Sequence, residues 1–520
     1  MTSSNNLIVE DVITVNTGGI FNLENDASLV QINNVTNIGD IKYNRTAPNI
    51  KGSDYVYWSS PVANQSINSI YNTTTPGYKY SWDTVAANSN GGLGNWTSAA
   101  GATMNPAQGY IVRGSTNYYL GSTSLLAGFT GVPNNGNISI KARRGDMTTS
   151  TVPSFYTNPA LSITDDNWTL VGNPYPSAIN GLQFLQANST NLVGTLYLWR
   201  HLNNPAAITS PFYGNYVYNY NSSDYLSVNF TGTTTPGASD IIKTGQGFMV
   251  QRLEGAQDLT GVDVVFNNSM RTNSGTPYAN NNFYRNATQT NPENISNLER
   301  HRIWLDIVNE NTMLAETTLL GYAQGATNGI DNLFDGPKAT TNATQIYSIQ
   351  DQKPLIIQGR QLPFENSDQV QLGVSVVSNS TYKIAINTVD GLFENQDIFL
   401  EDKLLNITHD LKSQPYSFTS QIGTFEDRFI LKYTSAVLAN NQFELNNDFK
   451  IATTNNLKLI SNNQNITKIE VYDLLGRKID EYKNLNTKTK TLDNLFKSDK
   501  IYIIKTTFEN NSIVTKKVIF

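Results

Sequence analysis

At 520 residues the chain is too long for a single hydrophobic core, so several domains are expected. It holds no cysteine, which excludes disulfide staples and leaves packing alone to hold the fold. The net charge of −6 divides unevenly: residues 441–520 carry 13 Lys and Arg against 9 Asp and Glu, so the rest is an acidic body without the basic footprint that nucleic acid requires.

Asn, Ser, Thr, Gly and Tyr are abundant, charged residues make up only 15%, and helix-forming runs are nearly absent. This composition predicts an all-β protein of tandem β-sandwich domains, Ig-like or jelly-roll-like, with a short β-helix-like segment at the N-terminus and a small β-sandwich at the C-terminus. No run of eighteen apolar residues occurs, so no transmembrane segment is predicted. The opening MTSSNNLIVEDV has no charged n-region leading into an apolar h-region.

Residues 1–45 contain two similar short β-patterned units, Leu7–Asn16 and Ile20–Ile32, broken by Gly, Asn and Asp. Their spacing predicts coils of a parallel β-helix, which must stack on something else to bury a face. Residues 46–275 carry an internal duplication. Trp58-Ser59-Ser60-Pro61 matches Val171-Gly172-Asn173-Pro174, Tyr80-Ser81-Trp82 matches Tyr197-Leu198-Trp199, and Gln108-Gly109-Tyr110 matches Gln246-Gly247-Phe248. The order is kept while the offset grows from 113 to 117 to 138 residues, so insertions fall between the matches. Two related β-units follow, near 46–150 and 151–275, as two sandwiches or one pseudo-symmetric one. Residues 276–298 read as an Asn-rich linker, 299–435 as a further sandwich of alternating strands, 436–447 as a second linker, and 448–520 as a terminal domain.

Chemistry-bearing residues are sparse. His201, His301 and His409 each stand alone, without metal-ligand spacing, and neither a Gly-x-Ser-x-Gly elbow nor a phosphate loop is present. The acidic neighbours Asp165-Asp166, Glu401-Asp402 and Glu426-Asp427 point to opposite faces of any strand, which is poor geometry for glycoside hydrolysis. No enzyme activity and no cofactor is therefore expected. Asp331 and Asp335, in a Gly-bounded loop, are candidate oxygen ligands for calcium, although their spacing falls short of the EF-hand pattern. Aromatic residues crowd both copies of the duplication, and alternating aromatics ordinarily fill a sandwich core. Tyr216, Tyr218 and Tyr220 share one side of a strand in an Asn/Ser-rich setting and are the candidate glycan-contacting residues.

The last fifty residues are the most specific. Three β-patterned runs end there, and the chain finishes on apolar residues, which implies a terminal strand tied into a sheet. Val471-Tyr472-Asp473-Leu474, then Gly476-Arg477-Lys478, and the ending Lys516-Lys517-Val518-Ile519-Phe520 together resemble the C-terminal sorting domain of the type IX secretion system of Bacteroidetes. The run Ile398–Lys403, Tyr416–Thr419 and Asp427–Leu431 resembles the β-sandwich that often precedes that tail. One departure is Ser498-Asp499-Lys500-Ile501-Tyr502, where the commonest version has Gly-x-Tyr; it leans toward a variant signal and leaves cleavage and anchoring unassigned.

The resemblance implies a protein that crosses the periplasm and is secreted or displayed on the exterior of the outer membrane. Its tail would be read by the type IX machinery, and its body would act as an adhesin toward surface glycans or other cell-surface proteins. The alternative is a carbohydrate-binding protein or an accessory domain of a carbohydrate-active enzyme. Cargo of this route enters the periplasm on a signal peptide, so either the N-terminus is truncated or the resemblance of the tail misleads, and the sequence leaves the two open. Asp83-Thr84-Val85 resembles the short O-glycosylation acceptor motif of the same bacterial group.

Overall fold

A computed structural model describes every residue except 51–53, 72–77, 88–92, 115–122, 146–166, 201–223, 282–297, 339–342, 435–448, 454–455, 474–475, 496, 498–499 and 511. The fold is all-β, with a single α-helix among the described residues. No described helix is long and apolar enough to cross a membrane. Two compact units divide the chain, Met1–Tyr433 and Thr434–Phe520.

The first unit begins as two parallel rungs. Asn6–Val9 pairs in parallel with Ser28–Gln31, Thr14 bridges Ile38, and Asn22–Leu23 pairs in parallel with the start of Ile41–Ile50. The last of these strands runs on past residue 45 and pairs antiparallel with Thr123–Gly131, so the coils merge into the body without a break.

The duplication is visible as two four-stranded sheets of identical strand order. In one the order is Tyr55–Trp58, Tyr110–Arg113, Lys79–Ala87, Leu93–Ser98; in the other it is Trp168–Gly172, Gly247–Arg252, Leu192–Trp199, Tyr225–Val228. The copies meet through reciprocal contacts. Trp58 bridges Gln246 as Val171 bridges Gln108, and Ser59 N donates to Gly245 O at 2.8 Å as Gly172 N donates to Ala107 O at 2.9 Å. Ile138–Arg144, at the end of the first copy, also pairs with Asp258–Phe266 from the second. These pairings knit the two copies into one pseudo-symmetric body.

The second sheet is buried on both faces. Leu170, Tyr197, Trp199 and Met249 pack toward the first copy. Val171, Leu196, Phe248 and Val250 pack against Phe184 and Leu185 of the helix Gly181–Ala187. Asn180 caps that helix, its side chain accepting from Gln183 N at 2.8 Å.

Residues 276–281 differ from the expected linker. Tyr278 and Asn280 are buried, and Asn280 Nδ2 donates to Ala27 O, the Tyr43 hydroxyl and the Thr244 hydroxyl at 2.7–2.9 Å. One carboxamide thus ties the N-terminal rungs to the second copy, and such fully bonded buried groups specify packing. The rest of that expected linker, 282–297, and the second one, 436–447, lie outside the described residues.

Residues Arg300 to Lys432 form one eleven-stranded sheet. It rolls until strands near its opposite edges meet. The Tyr416 hydroxyl donates to Asp402 Oδ2 at 2.8 Å, while Arg428 Nη2 reaches the same oxygen at 2.7 Å. A sheet that closes in this way removes most of its exposed edges and encloses one core, here Ile303, Leu305, Val374, Ile384, Phe393, Phe429 and their neighbours.

The second unit is a small sandwich. Phe449–Ala452, Lys458–Ser461 and Thr489–Thr491 form one sheet. Lys478–Tyr482, Ile466–Tyr472, Ile501–Phe508 and Ile513–Ile519 form the other, in that order. Ile501–Phe508 alternates strictly, turning Tyr502, Ile504, Thr506 and Phe508 inward. Phe520 is buried and exchanges backbone hydrogen bonds with Lys500 at 3.0 and 3.1 Å, which anchors the chain end.

Candidate functional site

Strand alternation sorts the sequence-predicted sorting residues into two classes. Val471 and Val518 point into the core and are 0% and 8% exposed. Tyr472, Lys517 and Ile519 lie on the opposite face, where Ile519 is 63% exposed. Registers across the sheet bring the two separated motif segments together. Lys478 pairs with Tyr472, Tyr472 with Ile503, and Ile503 with Lys517, so one row crosses all four strands. The neighbouring row pairs Ile501 with Ile519. The outcome is an outward apolar strip flanked by Lys478 and Lys517, ending on an edge strand.

A short hairpin turn stands beside this strip. Gly476 has φ of +77°, a left-handed conformation that a side chain disfavours, and its N–H donates to Asp473 O at 3.0 Å. Asp473 closes the turn by accepting from Arg477 N at 2.9 Å and from Arg477 Nε at 3.0 Å. The Arg477 side chain remains 84% exposed. Leu474 lies outside the described residues.

Lys516 does something different from Lys517. Its Nζ lies over the Phe449 ring, 5.5 Å from the centroid, and donates to Phe449 O at 2.6 Å, latching one sheet to the other. Burial lowers its pKa from the ordinary lysine value. An inward lysine on an edge strand also discourages pairing with other chains. Beyond the row, Lys468 and Lys478 bracket Glu470 and Glu481 on the same sheet. Hydrogen bonds from Lys478, then Lys468, draw Glu481 down to about 2.

The remaining sequence candidates fare unevenly. Tyr216, Tyr218, Tyr220, His201 and Asp165-Asp166 lie outside the described residues. Asp331 and Asp335 turn their carboxylates onto their own loop. Asp335 Oδ1 accepts from Gly359 N at 2.9 Å and its Oδ2 from Asp331 N at 2.6 Å, while Asp331 Oδ2 accepts from Thr327 N. Among the described residues no group of three or more His, Asp or Glu side chains could hold a metal ion. These carboxylates shape a wedge whose Asn332 and Phe334 bond to the second copy through Leu192 O, Asn229 and Thr231. Thr84 is likewise no acceptor in the folded chain, since its hydroxyl is buried and donates to Trp168 O at 2.5 Å.

Asp402 is the buried partner of Arg428, and its neighbour Glu401 pairs with Lys432 on the other face. His409 Nε2 donates to Gln414 O at 2.9 Å. His301 accepts from Leu392 N through Nδ1 at 3.2 Å, so Nε2 carries the proton and faces Glu299 Oε1 at 3.2 Å. It lines an open cleft of about 670 Å³ with Leu362, Pro363, Phe364, Leu392, Asn395 and Gln396. Three separate segments build this cleft, and no local sequence pattern announces it.

No curated protein matches the chain. Residues 438–520 match a family model described as a domain of unknown function, DUF8694, and its lower bound falls close to the division between the two compact units. Residues 1–433 match the model of another domain of unknown function, and the chain belongs to that family, DUF8693.

Proposed function

We propose that the second unit is an export address of the type IX kind, and that the first unit is its cargo, an adhesin-like binding body delivered to the cell exterior. The observation that carries this reading is the row Lys478–Tyr472–Ile503–Lys517. It makes one outward surface from two motif segments whose members Lys478 and Lys517 lie 39 residues apart in sequence (517 − 478). A further support is the division of labour within the motif. Val471, Val518 and Lys516 hold the sandwich together, while Tyr472, Arg477, Lys517 and Ile519 remain accessible to a partner. An apolar strip edged by cations suits recognition through both contact area and electrostatic steering.

The test is a fusion of Thr434–Phe520 to a periplasmic reporter that carries a signal peptide, expressed in a type IX-competent strain. The unit has its own core, so the fusion is a folded domain. The expected result is reporter outside the cell, and full retention in the periplasm would overturn the proposal.

A further inference from the structure

The cleft at one end of the rolled sheet has the makings of a binding site, and its described lining is built from other residues than the tyrosines singled out in the sequence. Its floor is apolar. Leu362, Pro363 and Phe364 come from the loop after Lys353–Arg360, and Leu392 comes from the short 3₁₀ turn Gly391–Glu394. Phe364 is held from behind by ring contacts with Tyr322, Tyr433 and Phe393 at 4.8, 5.0 and 5.2 Å. The polar walls are Glu299, His301, Asn395 and Gln396.

These walls are fixed before any ligand arrives. Arg302 grips Asp390 through N, Nε and Nη2 at 2.8, 2.9 and 2.6 Å, which sets the entrance to the 3₁₀ turn. Gly391, at φ of +61°, lies so close to His301 Nδ1 that any side chain there would strike the ring. That approach lets Leu392 N donate to His301 and lock its tautomer. Gln396 Nε2 donates to Tyr433 O at 2.8 Å. Glu299 Oε2 and the Asn395 carboxamide, by contrast, make no hydrogen bond among the described residues, and both residues are exposed. Preorganised walls with unengaged polar atoms over an apolar floor are the usual anatomy of a small-ligand pocket.

We propose that this cleft binds a neutral saccharide ring. A sugar presents a C–H face that can lie on Pro363 and Phe364, and hydroxyls that both donate and accept. The lining supplies both roles, since Asn395 donates and accepts while Glu299 accepts. A cationic side chain is drawn most strongly by clustered carboxylates, and the described lining of the cleft holds one, Glu299. The inference does not depend on the export reading, because binding is measured in solution on the whole chain.

The test applies the full-length protein to an array of neutral hexose and N-acetylhexosamine oligosaccharides, followed by calorimetric titration with the strongest hit. Glu299→Ala and Asn395→Ala remove exposed side chains, so their melting temperatures should match the parent. Each is expected to weaken binding by about tenfold, the loss of one hydrogen bond to the ligand. Three results would each overturn the proposal: a silent array, an affinity unmoved by either substitution, or binding only of a Lys/Arg-rich peptide pool that Glu299→Gln abolishes.

Discussion

Trp199 donates its indole N–H to the carbonyl of Tyr55 at 3.0 Å, and its counterpart Trp82 donates to the carbonyl of Trp168 at the same distance. Each copy of the duplication therefore reaches across to the first strand of the other. Trp199 also stacks on Tyr57, with ring centroids 5.5 Å apart and planes 8° from parallel. Replacing Trp199 by Phe keeps part of the stacking and removes the donor, so thermal unfolding of the first unit should show a loss of about 1–2 kcal/mol.

The backbones of the two copies come equally close. A Cβ on Gly109 would lie 2.5 Å from Leu170 Cγ and 2.7 Å from Val171 O. On Gly172 it would strike the Ser59 Cβ. Gly109→Ala is expected to destabilise the first unit by about 1–3 kcal/mol through overpacking, read as a lower denaturant midpoint with unchanged slope.

Much of this was legible in the sequence because it is local and repeated. Pro61 and Pro174, Trp82 and Trp199, Gly109 and Gly247 stand in matching order, and matching order carried over into matching sheets. The closure of the rolled sheet was not legible. Asp402, Tyr416 and Arg428 meet only after the sheet has curled, and contacts of that kind leave no periodicity along the chain. Thr84 misled for a related reason: an acceptor motif reads as a surface feature until the fold sets its hydroxyl against Trp168. Asp331 and Asp335 could not be assigned from sequence, because a loop that needs two carboxylates to satisfy its own amides has the same composition as one that needs them for a cation.

Arg271 is a buried cation whose bonds run to neutral acceptors. Its Nε donates to Ser177 Oγ at 2.8 Å, Nη1 to Asn135 and Asn268 Oδ1 at 3.1 Å each, and Nη2 to Leu29 O, while the guanidinium covers the Tyr175 ring. It joins the N-terminal rungs to both copies. Burial lowers its pKa to about 10, which still leaves it charged at neutral pH. Lysine has one nitrogen where this site uses three, so Arg271→Lys should cost about 2–4 kcal/mol in equilibrium unfolding. A variant as stable as the parent would show that the guanidinium fork is dispensable.

Asp335 gives the first unit a pH dependence. Burial raises its carboxyl to about 7, against the pull of two backbone N–H donors and Arg360. The folded state then holds this proton more tightly than the unfolded chain does. The stabilisation is fully present below the ordinary carboxylate range, near 4, and is lost as pH rises through about 7. Melting temperature should fall between pH 5 and pH 8, and Asp335→Asn should flatten that fall even if it lowers stability throughout. Equal slopes for parent and variant would assign the dependence to other groups.

The export proposal makes its sharpest demand at Lys517. The residue is exposed on an edge strand, so Lys517→Glu should leave the unfolding free energy of the second unit within about 0.5 kcal/mol of the parent. Reversing its charge beside Tyr472 and Ile503 should nevertheless block export of a reporter fused to this unit, because the read surface loses one of its two flanking cations. Gly476→Ala provides the opposite control. Among the described residues, its chain neighbours aside, no heavy atom lies within 4 Å of a Cβ there, so its cost of about 1–2 kcal/mol is that of φ, and export should persist at temperatures where the unit stays folded. Lys517→Glu exporting as well as the parent would separate the row from recognition, and the two motif segments would then meet for stability alone.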